Sequence, residues 1–158
     1  MGSLPAARLI ALTFLLCALP ACAPSYRTFM KQADSLGAAC NQAAAQFAFT
    51  LTPEARREVL SKLNALNDAL ITTAGYEREA RRTNSVDLID ANRAFLETGR
   101  AWVSCSLEYN RVLVAIGERD AARHNYQGLL PRLTAPQFVA ERRQIQQALD
   151  DLDGAKSR

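Results

Sequence analysis

Few side chains in this 158-residue chain are able to do chemistry, since it holds only four cysteines and one histidine. They are Cys17, Cys22, Cys40, Cys105 and His124. A thiol can be acylated, pair as a disulfide or bind a metal, and an imidazole is the usual acid–base group near neutral pH. What each residue does depends on the segment that positions it.

Acid–base, triad and multi-histidine metal chemistry would all depend on His124. Asp120 lies one helical turn earlier, so the pair could bind a metal weakly. Arg119 and Arg123 flank the pair, and we interpret it as solvent-exposed. The remaining clustered carboxylates stand at the ends of predicted helices: Asp87, Asp90, Asp150, Asp151 and Asp153. With no Cys-x-x-Cys-His haem motif and no glycine-rich phosphate loop, the sequence predicts a non-catalytic protein without metal or cofactor.

The first 21 residues have the pattern of an export signal. Arg8 gives a short positive segment, and an uncharged run from Leu9 to Leu19 follows it. As a helix this run would span about 16 Å, roughly half of a bilayer core. We therefore interpret it as the apolar region of a signal peptide rather than as a membrane span.

The tetrapeptide Leu19-Pro20-Ala21-Cys22 follows and resembles the lipobox of bacterial lipoproteins. The resemblance implies that residues 1–21 are removed, that Cys22 is acylated and anchors the chain in a lipid bilayer, and that residues 22–25 form a short spacer. In a cell with two membranes, Ala23 implies an outer-membrane anchor facing the periplasm. The alternative is cleavage at Ala21-Cys22-Ala23, a small-x-small site, which would release a soluble secreted protein.

The charge balance excludes one large class of function. The chain has 19 basic and 16 acidic residues, for a formal net charge of +3. This is too balanced for a nucleic-acid binder, and an extracytoplasmic address excludes a genomic role. We therefore expect no nucleic-acid partner.

Cys40 and Cys105 remain once Cys17 and Cys22 are assigned to the signal and the anchor. In an oxidising compartment two such cysteines suggest one disulfide. Both fall on the apolar faces of predicted helices, Cys105 between Trp102 and Tyr109. We predict a disulfide; the alternative is two separate buried thiols. Two cysteines and one histidine do not complete a four-ligand metal site.

The rest of the chain has helical periodicity almost throughout and predicts an all-α fold. Segment A covers about 25–48, segment B runs from Thr52 to about Arg82, segment C from Val86 to about Tyr126, and segment D begins at Thr134. We expect Thr52 to cap segment B, Asn84 or Ser85 to cap segment C, and Thr134 with Gln137 to form a capping box. The predicted fold is an antiparallel up-down bundle of about four helices over residues 26–153, followed by a polar tail, 154–158.

Segment C is long for such a bundle, at about 60 Å if unbroken. Gly117 is the expected place for a kink or break, after which the second piece folds back. The alternative is an overhang that exposes Leu113, Ile116 and Tyr126 to a partner helix. The aromatic stripe Phe95, Trp102 and Tyr109 could line a small-molecule pocket, but heptad spacing favours core.

Leu133-Thr134-Ala135-Pro136-Gln137 resembles the LTxxQ motif of small periplasmic helical chaperones and stress sensors. Residues 51–55 resemble the same motif, with Ala55 in place of its glutamine. The resemblance implies an all-helical dimer that holds unfolded clients. A helix cap at each position is the structural alternative.

Two functional classes follow. The first is a membrane-anchored, non-catalytic structural or accessory subunit that docks onto one envelope protein. The second is a chaperone-like or ligand-binding helical module in the periplasm.

Overall fold

The computed structural model describes residues 26–154, and every regular element in this range is helical. It contains α1 (Tyr26–Thr50), α2 (Pro53–Arg82), α3 (Leu88–Ala115), α4 (Arg119–Leu129) and α5 (Val139–Gly154), with short 3₁₀ turns at Leu130–Arg132 and Pro136–Phe138. The all-helical prediction is confirmed for this range. The predicted signal, the anchor Cys22 with its spacer and tail residues 155–158 lie outside the described residues.

Helices α1, α2 and α3 pack together around one apolar core. Gly37 of α1 lies against Ala101 of α3, and the ring of Phe47 lies 5.9 Å from that of Tyr109 further along both helices. Helices α1 and α3 therefore run in the same direction, and α2 returns between them. Their shared core includes Cys40, Phe47, Val59, Leu66, Val103 and Leu113, all at most 2% exposed.

The start of α2 follows its sequence signals. Thr52 has an extended backbone, and its side-chain oxygen accepts a hydrogen bond from the backbone N–H of Ala55 at 3.2 Å. Pro53 occupies the first turn, where its missing N–H is not needed, and Glu54 faces the positive end of the helix dipole. The predicted Thr52 cap is confirmed. The tight two-residue turn before α2 holds Leu51 at a positive φ of 52°.

Gly117 divides the predicted segment C into two helices. It has φ +89°, and the N–H of Glu118 donates to the carbonyl of Leu113 at 2.8 Å while Gly117 donates to Val114 at 3.1 Å. This is a Schellman ending, which favours glycine because the backbone is left-handed there. The expected break at Gly117 is confirmed; Leu113 and Tyr126 are buried rather than overhanging, and Ile116 is 38% exposed. The described chain thus has five α-helices, where the sequence predicted about four.

Helices α4 and α5 form a hairpin that packs on α3. Arg123 near the start of α4 pairs with Asp153 near the end of α5 at 2.8 Å. The buried face of α5 is Ile145, Leu149 and Leu152, as its helical spacing predicts. Asn125 of α4 donates a hydrogen bond to the buried Asn110 of α3 at 2.8 Å, which links the hairpin to the three-helix core.

The predicted capping box at Thr134 is wrong. The chain forms a 3₁₀ turn at Pro136–Phe138 and α5 begins only at Val139; the residue that precedes this turn is Ala135, which makes no side-chain cap. The reason is Pro136, which forces the residue before it into extended backbone, here φ −61° and ψ 137°,. One of the two predicted caps of segment C, Ser85, accepts a hydrogen bond from the backbone N–H of Asp87 at 3.2 Å, while α3 itself begins at Leu88, after Asp87, which makes no side-chain cap.

Phe138 joins the α5 segment to the core. It is fully buried, and its ring meets that of Phe95 edge-on at 5.1 Å between centroids. The ring also occupies the space beside Gly99, where an added Cβ would lie 2.3 Å from the Phe138 ring. Gly99 is therefore the residue of α3 that admits this side chain.

Candidate functional site

The structure brings the two predicted disulfide cysteines together. The sulfur atoms of Cys40 and Cys105 lie 2.02 Å apart, a disulfide distance, and the two Cα atoms are 5.8 Å apart. Both residues are fully buried between α1 and α3. The pair links helices that are 65 residues apart in the chain. It is structural, since no solvent reaches it.

His124 and Asp120 do not form a site. His124 is exposed on α4, and Asp120 pairs with Arg123 at 2.9 Å, so the interpretation as a solvent-exposed pair is confirmed. Within residues 26–154 no group of three or more histidine, cysteine or acidic side chains is arranged to hold a metal. The carboxylates at the end of α5 are engaged locally: Asp150 accepts from Gln146 and Asp151 from Gln147.

Two residues of the aromatic stripe, Trp102 and Tyr109, are core as their spacing predicted, while Phe95 is half-buried and borders a cleft beside α2. Trp102 and Tyr109 are 4% and 3% exposed. Arg132 lies over the Trp102 ring at 5.7 Å, a cation–π contact that covers one face of the indole,. These side chains are therefore engaged in packing.

One contact that the sequence did not predict is a side-chain clamp between the start of α2 and the α3–α4 turn. Arg56 donates to both carboxylate oxygens of Glu118, at 2.8 and 2.7 Å, and to the hydroxyl of Tyr109 at 3.1 Å. The hydrogen bonds to Glu118 and Tyr109 raise the pKa of the Arg56 guanidinium above its ordinary value. The clamp ties the start of α2 to the α3–α4 turn, and no local pattern could reveal a pair 62 residues apart.

A groove of about 1050 Å³ runs between α3 and α5. Its floor contains Val103, Leu107 and Tyr126, and charged and amide side chains form its walls: Arg100, Glu108, Arg111, Arg119, Glu141, Gln144, Gln147 and Asp151. The walls carry both signs of charge, so the groove has no single electrostatic preference.

Two buried polar atoms in this groove lack a hydrogen-bond partner within the described chain. Arg119 donates through Nη2 to the carbonyl of Leu152 at 3.1 Å, but its Nε is buried and unpaired. Glu141 accepts from Arg100 at 3.3 Å, while its second carboxylate oxygen is buried and unpaired. Buried polar atoms are normally satisfied, so these two mark where a ligand or water would bind. Burial also raises the pKa of Tyr126 on the floor.

A second cleft, of about 850 Å³, lies between α2 and the chain before α5. Four residues of the LTxxQ-like segment line it, 134–137, together with Ile71 of α2, which is 61% exposed. Leu133 of the same segment is fully buried in the core. The motif therefore has one structural leucine, and its other four residues line an open cleft.

The three most exposed large apolar side chains of the described residues, Val86, Phe49 and Ile89, lie at the two ends of the bundle, while Ile71 is exposed on the side. One end carries Phe49, Leu51 and Ile116, which are 91%, 52% and 38% exposed; we call these three residues the end patch. The opposite end is formed by residues 83–89, the α2–α3 tip, where Val86 is 96% and Ile89 72% exposed. No helix within residues 26–154 is long and apolar enough to cross a membrane.

No protein-family model, no curated protein and no solved structure matches this chain.

Proposed function

We propose that the protein is a bacterial lipoprotein, anchored through acylated Cys22, that acts as a non-catalytic accessory subunit of an envelope protein assembly. The end patch is its docking surface. The anchor is supported by the lipobox resemblance, and the docking role is supported by one observation: Phe49 is 91% exposed at a bundle end.

Exposing a phenylalanine side chain to water is unfavourable, and an exposed phenylalanine among other apolar side chains indicates a docking surface. Burying such a side chain against a partner contributes about 1.5–3 kcal/mol. Leu51 adds a second signal, since a branched side chain at φ 52° is strained by roughly 1–3 kcal/mol,. Strain of this kind concentrates at functional positions, and glycine would relieve it.

The end patch lies far from the anchor. Helix α1 has 25 residues, so about 37 Å separates its start, near Cys22, from the patch,. A partner that contacts this patch stands well away from the anchoring membrane, and we propose an envelope protein with an apolar, helix-sized docking site. In a two-membrane cell the protein faces the periplasm from the outer membrane.

The anchor has a direct test. Intact-mass measurement of the detergent-extracted protein is expected to show a chain that begins at Cys22 and carries acyl groups, and Cys22→Ala is expected to remain unprocessed or become soluble. A Cys22→Ala protein that still enters the detergent phase with its signal removed would exclude acylation at this residue.

Docking is tested by site-specific photo-crosslinking in intact cells. A photoreactive phenylalanine analogue at Phe49 is expected to give one recurrent adduct with one envelope protein. Phe49→Ser is expected to weaken capture of that protein roughly 10- to 100-fold, from the lost burial. Leu51→Gly should weaken capture as well while raising the free energy of unfolding, because it relieves strain.

The matched control is the same analogue at Ile71, which is also exposed but lines the α2 cleft. Many unrelated adducts at Ile71, with none at Phe49, would contradict docking through the end patch and support the chaperone-like alternative. A self-adduct alone at Phe49 would assign the patch to a dimer.

The α3–α5 groove favours a second candidate, a ligand-binding module. The unpaired Nε of Arg119 needs a hydrogen-bond acceptor near one end of the groove, and the unpaired carboxylate oxygen of Glu141 needs a donor near the other end. Leu152, which contacts Arg119, lies about 16 Å along α5 from Glu141,. The ligand would therefore be elongated, with polar groups at both ends.

A further inference from the structure

We infer that the α2–α3 tip is a membrane-contact surface, with Val86 and Ile89 inserted into the interface of the bilayer that holds the acyl anchor. This inference rests on the proposed acylation of Cys22. It concerns a different end of the molecule from the docking patch.

The first observation is register. Helices α1 and α3 run in the same direction, and Cys40 meets Cys105 across a separation of 65 residues. The same offset puts Tyr26, the first residue of α1, level with Ala91 of α3. Helix α3 begins at Leu88, three residues before Ala91, so it extends beyond the start of α1 by about 4.5 Å, and the turn that holds Val86 precedes it,.

The second observation is the length of the tether. Tyr26 is four positions after Cys22, and an extended chain gains at most about 3.4 Å per position, or roughly 14 Å,. An acylated Cys22 can therefore reach the level of the tip but cannot hold the bundle far above the bilayer. With the acyl chains inserted, the tip is the part of the described chain nearest to the lipid.

The third observation is the chemistry of the tip. Val86, in the turn before α3, is 96% exposed, and Ile89, in the first turn of α3, is 72% exposed. Within residues 77–93 of α2 and α3 the charges balance, with four arginines and four carboxylates: Arg78, Arg81, Arg82, Arg93, Glu77, Glu79, Asp87 and Asp90. Contact with lipid is therefore apolar and shallow, at the depth that interfacial side chains reach, and it does not depend on anionic lipid.

The test uses tryptophan fluorescence on the full acylated protein, reconstituted in phosphatidylcholine vesicles whose acyl chains are brominated near the headgroup. The chain has one native tryptophan, Trp102, which is buried and serves as an internal reference. In Val86→Trp the new side chain is expected to lose roughly half of its emission in the brominated vesicles, because it lies at the headgroup–acyl boundary. Raising the salt concentration should not change this loss.

Phe49→Trp is the matched control, since Phe49 is similarly exposed at the opposite end, and its emission should be unchanged by the brominated lipid. Both substitutions replace exposed side chains, and circular dichroism verifies the fold of each. Equal emission of the Val86→Trp variant in brominated and ordinary vesicles, from protein whose mass shows acylated Cys22, would overturn the inference and leave the anchor standing. Protein without the acyl mass would overturn both.

Discussion

The double variant Cys40→Ala/Cys105→Ala is expected to lose about 4 kcal/mol of unfolding free energy, because the bond closes a loop of 65 residues in the unfolded chain,. That is a large share of the roughly 5–15 kcal/mol typical of a domain. Guanidinium unfolding followed by circular dichroism measures the loss. Each cysteine is buried, and alanine leaves only a small cavity, so chain entropy dominates the effect.

Reduction provides the control for this prediction. The parent protein unfolded in the presence of a reductant should match the double variant in its midpoint, since both lack the bond. A parent whose midpoint does not respond to reductant, and whose two thiols are both alkylated in the folded state without it, would show that the bond does not form.

Phe138→Ala is expected to lower the free energy of unfolding by about 3–5 kcal/mol, the cost of deleting a fully buried aromatic side chain. The ring fills the space beside Gly99 and contacts Phe95 edge-on. Its removal leaves a cavity between α3 and the start of α5, and thermal or denaturant unfolding measures the cost.

Gly99→Ala tests the same contact from the other side. The added methyl group would overlap the Phe138 ring, so we expect the free energy of unfolding to fall by about 1–3 kcal/mol despite the better helix propensity of alanine. Gly75→Ala is the matched control on α2: nothing lies within 4 Å of its added Cβ, and it should gain up to about 1 kcal/mol. In the Phe138→Ala background the Gly99→Ala penalty should disappear. An equal gain at both glycines would contradict the close packing at Gly99.

Local rules were enough to predict much of the fold. Helical periodicity predicted the buried faces of α2 and α5 and, on α3, the buried Trp102 and Tyr109. The cap at Thr52 and the break at Gly117 follow from residue type alone. The cysteine pair was predictable because both residues fall on apolar faces of their helices. The cap at Thr134 failed because Pro136 acts on the residue before it, and its local effect outweighs the capping pattern.

The candidate surfaces could not be predicted in the same way. The Arg56–Glu118 clamp joins residues 62 apart, and the α3–α5 groove exists because α5 packs mainly on α4. The exposure of Phe49 and Val86 depends on where the bundle ends, which is a property of the tertiary arrangement. Both residues look like ordinary helix-flanking apolar positions in the sequence.

The position of the disulfide has a consequence for how the molecule opens. The bond joins α1 to α3 and leaves the α4–α5 hairpin outside the covalently closed loop. Local opening with a free energy below that of global unfolding is common where an element is held by packing alone. The hairpin has no covalent cross-link to the three-helix core; it is attached through Phe138, its apolar face, the Asn110–Asn125 hydrogen bond and the Arg100–Glu141 ion pair. Since α5 is one wall of the groove, fluctuations of this unit would widen the groove while the stapled helices keep their spacing.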